Sequence, residues 1–245
     1  MSWPQTAGLF SAPFYRMHSP MAVVPYRFHS LPDHSPFIKI CGLTDPDNAQ
    51  ACVRAGADII GLVFYPKSPR HLEIPRAVQV AHTLLGQVPV WGVFVDAGLD
   101  TIMAHVESCG LTGVQLHGRE SPGLVDALKK KKLTVTKAVF AAGSPGLDTV
   151  HTYTSADCFL VECGLGKLPG GNARTWEYRL ARKIAAQYPV LLAGGLTSTN
   201  ITEAMADADP LGVDISSGVE TAFGIKDVQQ VAELVRMVKG PGPGR

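Results

Sequence analysis

A cysteine ends the first apolar run of the chain, where its thiol could act as a base or a nucleophile. The run and the turn after it read Phe37-Ile38-Lys39-Ile40-Cys41-Gly42-Leu43-Thr44-Asp45-Pro46. This pattern predicts a buried strand and a tight turn, with Thr44 or Asp45 capping a helix that Pro46 begins. The carboxyl tips of parallel strands are where α/β barrels carry their chemistry, so Cys41 is a candidate catalytic residue. The alternative is a small buried hydrophobe, which is what most free cysteines are.

Two short turns of small residues could bind an anion such as a phosphate. They read Gly194-Gly195-Leu196-Thr197 and Ser216-Ser217-Gly218, and each follows a predicted strand. Glycine lets backbone N–H groups approach an anion closely, and serine hydroxyls add further donors. Barrel enzymes commonly bind phosphate after their seventh and eighth strands, which is where these turns fall. We therefore favour a phosphate ligand over ordinary turn residues.

Four ionisable side chains stand at or just after other predicted strands: Arg70, His117, Glu162 and Asp214. An arginine suits bidentate pairing with a carboxylate, although the local sequence around Arg70 fits a surface arginine equally well. His117 could carry a proton, but we favour a hydrogen-bonded residue of the interior. Glu162 supplies a carboxyl group, and Asp214 could orient the neighbouring loops.

The elements that must position these residues alternate between strand and helix. Short, largely apolar segments predict strands at 37–41, 58–64, 90–95, 113–116, 135–140, 158–161, 190–193 and 212–215. The segment at 58–64 is almost unbroken in its apolar character, which is typical of parallel strands buried on both faces. The segments between and after them predict helices at 46–55, 75–85, 99–109, 122–131, 147–153, 176–186, 199–206 and 228–238. Eight such units in about 200 residues predict an α/β fold, a single (β/α)8 TIM barrel. A doubly wound open sheet is the alternative, but no Gly-x-Gly-x-x-Gly follows the first strand.

Composition limits the partners and the compartment. The formal net charge of +1, with 18% charged residues, argues against a nucleic-acid or membrane partner, and no apolar run approaches membrane-spanning length. The five cysteines have no metal-finger spacing, which favours reduced thiols and a cytoplasmic protein. Residues 1–36 contain six prolines and predict a disordered extension. The barrel is expected at 37–239, and a flexible tail at 240–245.

Several runs spread along residues 39–220 jointly resemble one family. They are Lys39-Ile40-Cys41-Gly42-Leu43-Thr44, Gly61-Leu62-Val63-Phe64-Tyr65-Pro66-Lys67-Ser68-Pro69-Arg70, Gly92-Val93-Phe94-Val95, Val114-Gln115-Leu116-His117-Gly118, Ala193-Gly194-Gly195-Leu196 and Gly212-Val213-Asp214-Ile215-Ser216-Ser217-Gly218-Val219-Glu220. Together they are similar to the phosphoribosylanthranilate isomerases of tryptophan biosynthesis.

The resemblance implies an Amadori rearrangement that needs no metal or cofactor. Its substrate is a phosphorylated small molecule, N-(5-phosphoribosyl)anthranilate, and its product is 1-(2-carboxyphenylamino)-1-deoxyribulose 5-phosphate. The resemblance implies that Cys41 is the general base at the sugar C2 and that Arg70 holds the anthranilate carboxylate. A carboxylic acid after the sixth strand protonates the ring oxygen. The substrate-binding residues at the ends of strands seven and eight are then Gly194, Gly195, Asp214, Ser216, Ser217 and Gly218. The protein is expected to be a monomer or a homodimer.

The sequence departs from the family pattern at one place. Glu162 stands where the family has an aspartate, and Ala173, Arg174 and Trp176-Glu177-Tyr178 vary the loop that follows. An extra methylene displaces a catalytic group, and small displacements can be costly. Two alternatives therefore remain: a paralogue that isomerises a related aminoaldose phosphate, and a non-catalytic barrel that binds a phosphate ligand. The glycines of the loop at 164–175 would permit it to close over a ligand.

Overall fold

The eight predicted strands form one closed barrel of parallel strands, arranged in the order in which they occur in the chain. The computed structural model describes residues 35–165 and 174–240. The strands are β1 (Phe37–Cys41), β2 (Ile59–Val63), β3 (Val90–Phe94), β4 (Gly113–Leu116), β5 (Thr134–Phe140), β6 (Cys158–Glu162), β7 (Val190–Ala193) and β8 (Gly212–Ile215). β8 pairs with β1 and closes the barrel, so the predicted TIM barrel is confirmed and the open sheet is excluded.

Helices follow the strands along the chain. They are α1 (Pro46–Arg54), α2 (Ile74–Thr83), α3 (Leu99–Cys109), α4 (Pro122–Lys130), α5 (Arg182–Ala185), α6 (Ile201–Ala208) and α7 (Val228–Lys239). Asp45, rather than Thr44, caps α1: its side chain accepts a hydrogen bond of 2.9 Å from the backbone N–H of Asn48. Within the described ranges, no helix is long and apolar enough to cross a membrane.

Two predicted elements differ from the structure, and one element of the structure was not predicted. The helix expected at 176–186 begins later, as the 3₁₀ helix Tyr178–Ala181, and continues as the single turn of α5. Trp176 is hydrogen-bonded to the end of β7, which holds this part of the chain against the barrel rim. The helix expected at 147–153 is the 3₁₀ helix Leu147–Thr152, and a short antiparallel hairpin, β9 (Glu220–Ala222) and β10 (Ile225–Lys226), was not predicted.

The barrel interior is layered, because alternate residues of each strand point inward. The lowest layer is apolar and is formed by Phe37, Ile59, Trp91, Cys158 and Leu191. Trp91 is fully buried there, and Gly113 leaves room for it, since a Cβ at that position would lie 2.7 Å from the indole. This layer fills the amino-terminal end of the barrel, so the space for a ligand is at the carboxyl ends of the strands.

Some of the predicted segments fall outside the described residues. The expected extension at 1–36 is described only at residues 35 and 36, and the expected tail only at residue 240. Residues 166–173 of the loop that was expected to close also lie outside the described ranges.

Candidate active site

One cavity opens at the carboxyl ends of the strands, and every predicted site residue lines it. These residues are Cys41, Arg70, Glu162, Gly194, Gly195, Asp214, Ser216, Ser217 and Gly218. They come from the two ends and the middle of the chain, and closure of the barrel brings them together. His117 also lines the cavity, whereas Asp96, another polar residue after a strand, bonds instead to the backbone N–H of Arg119 at 2.6 Å.

Cys41 shares the barrel interior with a buried ion pair that the sequence analysis did not identify. Lys39 and Asp214 are register partners on β1 and β8, and Lys39 Nζ lies 2.9 Å from Asp214 Oδ2. Lys39 is two residues before Cys41 and therefore points to the same side of β1. A Cβ at position 61 would lie 2.8 Å from Cys41 Sγ and 3.0 Å from Lys39 Nζ, so the glycine at this point of β2 leaves room for both groups.

The charges around Cys41 oppose one another. Burial has the largest effect and raises the pKa of the Cys41 thiol; Lys39 lowers this pKa, Asp214 raises it, and Lys226 lowers it. Burial lowers the pKa of Lys39, but Asp214 and Cys41 together outweigh burial and raise it above its ordinary value. Lys39 therefore stays protonated beside the thiol, and its positive charge favours the thiolate form of Cys41.

Arg70 is a buried arginine and not a surface residue. Its side chain is 5% exposed, and its Nε and Nη2 donate to the two carboxylate oxygens of Glu220 at 2.7 Å and 2.5 Å. Such a bidentate pair fixes the plane of the guanidinium group. Phe223, at the tip of the β9–β10 hairpin, covers that group at 5.4 Å from the ring centre. Glu220 thus binds one edge of the Arg70 guanidinium group, and Arg70 also lines the cavity.

Glu220 joins Arg70 to a second buried cation. Lys226 Nζ lies 2.7 Å from Glu220 Oε1 and 3.1 Å from the carbonyl oxygen of Ser216. Burial raises the pKa of Glu220, but the hydrogen bonds and charges of Arg70 and Lys226 outweigh it and hold this pKa below its ordinary value. The side chain of Asn48 in α1 exchanges two hydrogen bonds, of 2.7 Å and 2.8 Å, with the backbone of Lys226 and so fixes the hairpin to the first helix.

Glu162 is the last residue of β6 and is linked to a short chain of hydrogen bonds. His117 Nε2 lies 3.3 Å from Glu162 Oε1, and Gln115 Nε2 lies 2.9 Å from His117 Nδ1. The two ring nitrogens of His117 thus face the side chains of Gln115 and Glu162. The favoured interpretation of His117 as a hydrogen-bonded residue of the interior is therefore correct, and its partner is the candidate acid.

The two small-residue turns meet at the rim of the barrel. Gly194 and Gly195 have φ values of +90° and +65°, in the left-handed region that favours glycine. A Cβ at Gly218 would lie 1.9 Å from the carbonyl oxygen of Leu196, so the turn after β8 packs against the turn after β7 with no room for a side chain. Ser216 is fixed in the same place, since its hydroxyl donates to the carbonyl of Cys41 at 3.0 Å.

Among the described residues, metal ligands do not cluster in this site. Within residues 35–165 and 174–240, no group of three or more His, Cys, Asp or Glu side chains is arranged to hold a metal ion. The five cysteines are all free and buried. Among the described residues that line the cavity, the groups available for chemistry include two thiols, two carboxyl groups, an imidazole and two guanidinium groups: Cys41, Cys163, Glu162, Asp214, His117, Arg70 and Arg174.

A family model and several curated relatives of this chain give the same family name. Residues 38–237 match the model of the family described as PRAI, N-(5'-phosphoribosyl)anthranilate (PRA) isomerase. The isomerase of that name from Desulfatibacillum aliphaticivorans is 47% identical over 199 residues, covering 81% of this chain and 91% of the relative. The isomerase from Myxococcus xanthus is 42% identical over 205 residues, covering 82% and 95%.

Solved structures agree with these relatives. The phosphoribosylanthranilate isomerase of Thermotoga maritima superposes with a TM-score of 0.77 at 30% identity, covering 84% of this chain and all of the other. A phosphoribosylanthranilate isomerase bound to reduced 1-(o-carboxyphenylamino)-1-deoxyribulose 5-phosphate superposes with a TM-score of 0.74 at 29% identity, with the same coverage.

Proposed function

The chain belongs to the N-(5'-phosphoribosyl)anthranilate isomerase family, and on this premise we propose that Cys41 and Glu162 are its general base and general acid. The protein is an aldose–ketose isomerase of tryptophan biosynthesis. It converts N-(5-phosphoribosyl)anthranilate into 1-(2-carboxyphenylamino)-1-deoxyribulose 5-phosphate. The reaction opens the ribose ring and then moves protons, so every atom of the substrate remains in the product.

The first step opens the sugar ring and needs an acid. Glu162 lies on the cavity wall and donates its proton to the ring oxygen, leaving a Schiff base between C1 and the anthranilate nitrogen. The hydrogen bond between His117 and Glu162 Oε1 holds that oxygen and leaves Oε2 for the substrate. This bond supports Glu162 as a positioned acid despite its additional methylene.

The second step forms an enolamine and needs a base. Cys41 takes the proton from the sugar C2; the electron pair of that C–H bond forms a C1=C2 double bond, and the π pair of the C1=N bond moves onto the anthranilate nitrogen. The enolamine then gains a proton at C1 and loses the proton of the C2 hydroxyl, which gives the ketose. Lys39 supports this role, since a cation beside the sulfur favours the thiolate that acts as the base.

Two further groups would hold the ends of the substrate. Arg70, fixed by Glu220, pairs with the anthranilate carboxylate, and the turns at 194–195 and 216–218 bind the phosphate. Asp214 positions Lys39 through its Oδ2, and we propose it as a substrate-binding residue as well, because it lines the cavity and its Oδ1 has no hydrogen-bond partner among the described residues. The observation that carries the proposal is that thiol, carboxyl, arginine and both turns line one cavity.

The remaining properties follow from the chemistry and the composition. We propose that no cofactor or metal takes part, since proton transfers from a carboxyl and to a thiol are sufficient. Five free cysteines support a cytoplasmic protein. We propose residues 37–239 as the complete catalytic unit, working as a monomer or a homodimer without a nucleic-acid or membrane partner.

Alanine and conservative variants of the acid and the base test the proposal. Cys41→Ala and Glu162→Ala are each expected to lower kcat by about 10²- to 10⁴-fold while the far-ultraviolet circular dichroism spectrum stays unchanged. Glu162→Asp keeps the carboxyl group and serves as the matched control, with a smaller loss. Complementation of a tryptophan auxotroph that lacks this step gives a second readout. Near-parental turnover by either alanine variant would remove that residue from its role.

A further inference from the structure

The carbonyl groups of the turn after β7 are bonded by side chains from outside the turn. Trp176 Nε1 donates to the carbonyl of Ala193 at 2.9 Å, and the Tyr178 hydroxyl donates to that of Gly194 at 2.8 Å. The side-chain amide of Asn200 donates to the carbonyl of Gly195 at 2.9 Å. Three consecutive carbonyls, in the turn expected to hold an anion, are thus each occupied by a separate donor.

The geometry of the trans peptide fixes the direction in which the N–H groups of this turn point. In a trans peptide the N–H and the C=O point to opposite sides of the chain. Carbonyls directed at Trp176, Tyr178 and Asn200 therefore turn the N–H groups of residues 194, 195 and 196 the other way. Residues 194, 195 and 196 line the cavity, and the three donor side chains are not among the described residues that line it. The N–H groups consequently face the cavity, and the carbonyls face away from it.

We propose that Trp176, Tyr178 and Asn200 are positioning residues for the phosphate, which hold the carbonyls of residues 193–195 away from the ligand so that three backbone N–H groups face it. The inference rests on the proposed phosphate site and adds to it the groups that set its backbone orientation. A free turn with two glycines can rotate its peptides and present carbonyl oxygens, which repel an anion. The three side chains prevent that rotation.

Each donor is itself held in place. Tyr178 is 8% exposed, and the Trp176 and Tyr178 rings meet edge to face with their centres 5.3 Å apart. Burial, with Cys163 adding to it, raises the pKa of Tyr178 to about 12, so its hydroxyl keeps the proton that it donates throughout the working range. Asn200 Oδ1 accepts from the N–H of Thr197 at 2.9 Å, which fixes the amide with its NH₂ group toward Gly195.

The same contacts bring the loop after β6 onto the turn. A Cβ at Gly195 would lie 2.6 Å from the backbone nitrogen of Thr175 and 2.7 Å from the backbone oxygen of Arg174. Trp176 directly follows this contact, so it fixes both the turn and the end of the loop. Arg174, which also lines the cavity, is thereby held close to the proposed phosphate position.

Conservative variants separate the donors from the packing of their rings. Tyr178→Phe removes one hydroxyl, and Trp176→Phe removes the indole N–H but keeps an aromatic ring. Tyr188→Phe is the matched control, because Tyr188 precedes β7 and packs edge to face on Phe159. The measurements are the competitive inhibition constants of inorganic phosphate and of anthranilate, which probe the two ends of the substrate separately, together with kcat and KM.

We expect each donor variant to weaken phosphate inhibition about three- to tenfold, the usual effect of one lost hydrogen bond. Anthranilate inhibition and kcat should change less than about twofold, and the control should match the parent. Equal inhibition by phosphate in the donor variants and the parent overturns the inference, as does an equal loss for both inhibitors. Absence of competitive phosphate inhibition in the parent would instead contradict the proposed phosphate site. If Trp176→Phe does not fold, Tyr178→Phe, which loses one oxygen atom, decides the test.

Discussion

Replacement of Lys39 by methionine should shift the pH dependence of catalysis toward alkaline pH. Methionine fills a similar volume and removes the cation beside the Cys41 sulfur. Lys39 Nζ and Cys41 Sγ each lie within 3.0 Å of the position that a Cβ at Gly61 would occupy. The two atoms are therefore at most about 6 Å apart. At an effective dielectric constant of about 20, opposite charges at about 6 Å attract by roughly 3 kcal/mol. That energy corresponds to roughly a 100-fold change in the equilibrium between thiol and thiolate.

The sign follows from the protonation state that catalysis needs. The base is the thiolate, so kcat/KM rises with pH until the pKa of Cys41 is passed. Burial already raises that pKa in the parent, and loss of Lys39 raises it further while Asp214 keeps its opposing charge. At a fixed pH below both pKa values, kcat/KM of Lys39→Met should therefore fall about 100-fold, and the loss should shrink as the pH increases.

Two measurements test this shift independently. The first is kcat/KM against pH for the parent and Lys39→Met; the second is the rate of thiol alkylation by iodoacetamide against pH, with Cys41→Ser subtracted as the background of the other cysteines. The double variant Lys39→Met, Asp214→Asn removes both charges and should recover part of the shift. An alkylation profile of Lys39→Met that coincides with the parent profile would refute the reasoning, since the thiolate would then not depend on Lys39.

Two further predictions concern the groups that hold the ends of the substrate. Glu220→Gln leaves Arg70 and Lys226 without their shared carboxylate and should raise KM at least about tenfold, with a smaller change in kcat. It should also cost about 3 kcal/mol of unfolding free energy at neutral pH. Because the pKa of Glu220 is lowered by folding, that stabilisation is present above the ordinary carboxyl pKa and disappears as the pH falls through the folded value, so denaturant curves of parent and variant should converge in acid. Gly218→Ala would place a methyl group 1.9 Å from the carbonyl of Leu196, so phosphate inhibition should weaken by at least about tenfold; unchanged inhibition would show that the two turns separate freely.

The positions of the strands and of the cavity residues could be predicted because both depend on local pattern. Short, largely apolar segments predicted β1, β4, β7 and β8 with their observed bounds, and the strand tips then located Cys41 and Arg70. The partners of those residues could not be found in this way. Asp214 is 175 residues away from Lys39, and Glu220 is 150 residues away from Arg70, so each pairing exists only once the barrel closes. The alternation of side chains along β1 could have identified Lys39 as a site residue, because Lys39 lies on the same face of the strand as Cys41.

The helix after β6 shows why another part of the prediction failed. Residues 176–186 have a helical composition, but Trp176 and Tyr178 bond the rim of the barrel, and the first helical turn is 3₁₀. Tertiary hydrogen bonds here outweigh local propensity, as they often do near functional sites. The hairpin formed by β9 and β10 was missed for a related reason: its strands have three and two residues, too few for a period to be visible.

The link between Asn48 and Lys226 bears on how the protein becomes active during its synthesis. It joins residues 178 positions apart, and Lys226 also contributes to the charge around Cys41. Cys41 leaves the ribosome early, whereas Asp214, Glu220 and Lys226 leave it more than 170 residues later. Contacts of such long sequence separation form slowly, because their loop-closure entropy must be overcome before they stabilise the fold. A nascent chain that ends before β8 therefore carries Cys41 and Lys39 but lacks Lys226, which also lowers the pKa of the thiol, and lacks residues 216–218 of the cavity. Full activity then appears only after β8 docks beside β1 and the β9–β10 hairpin follows.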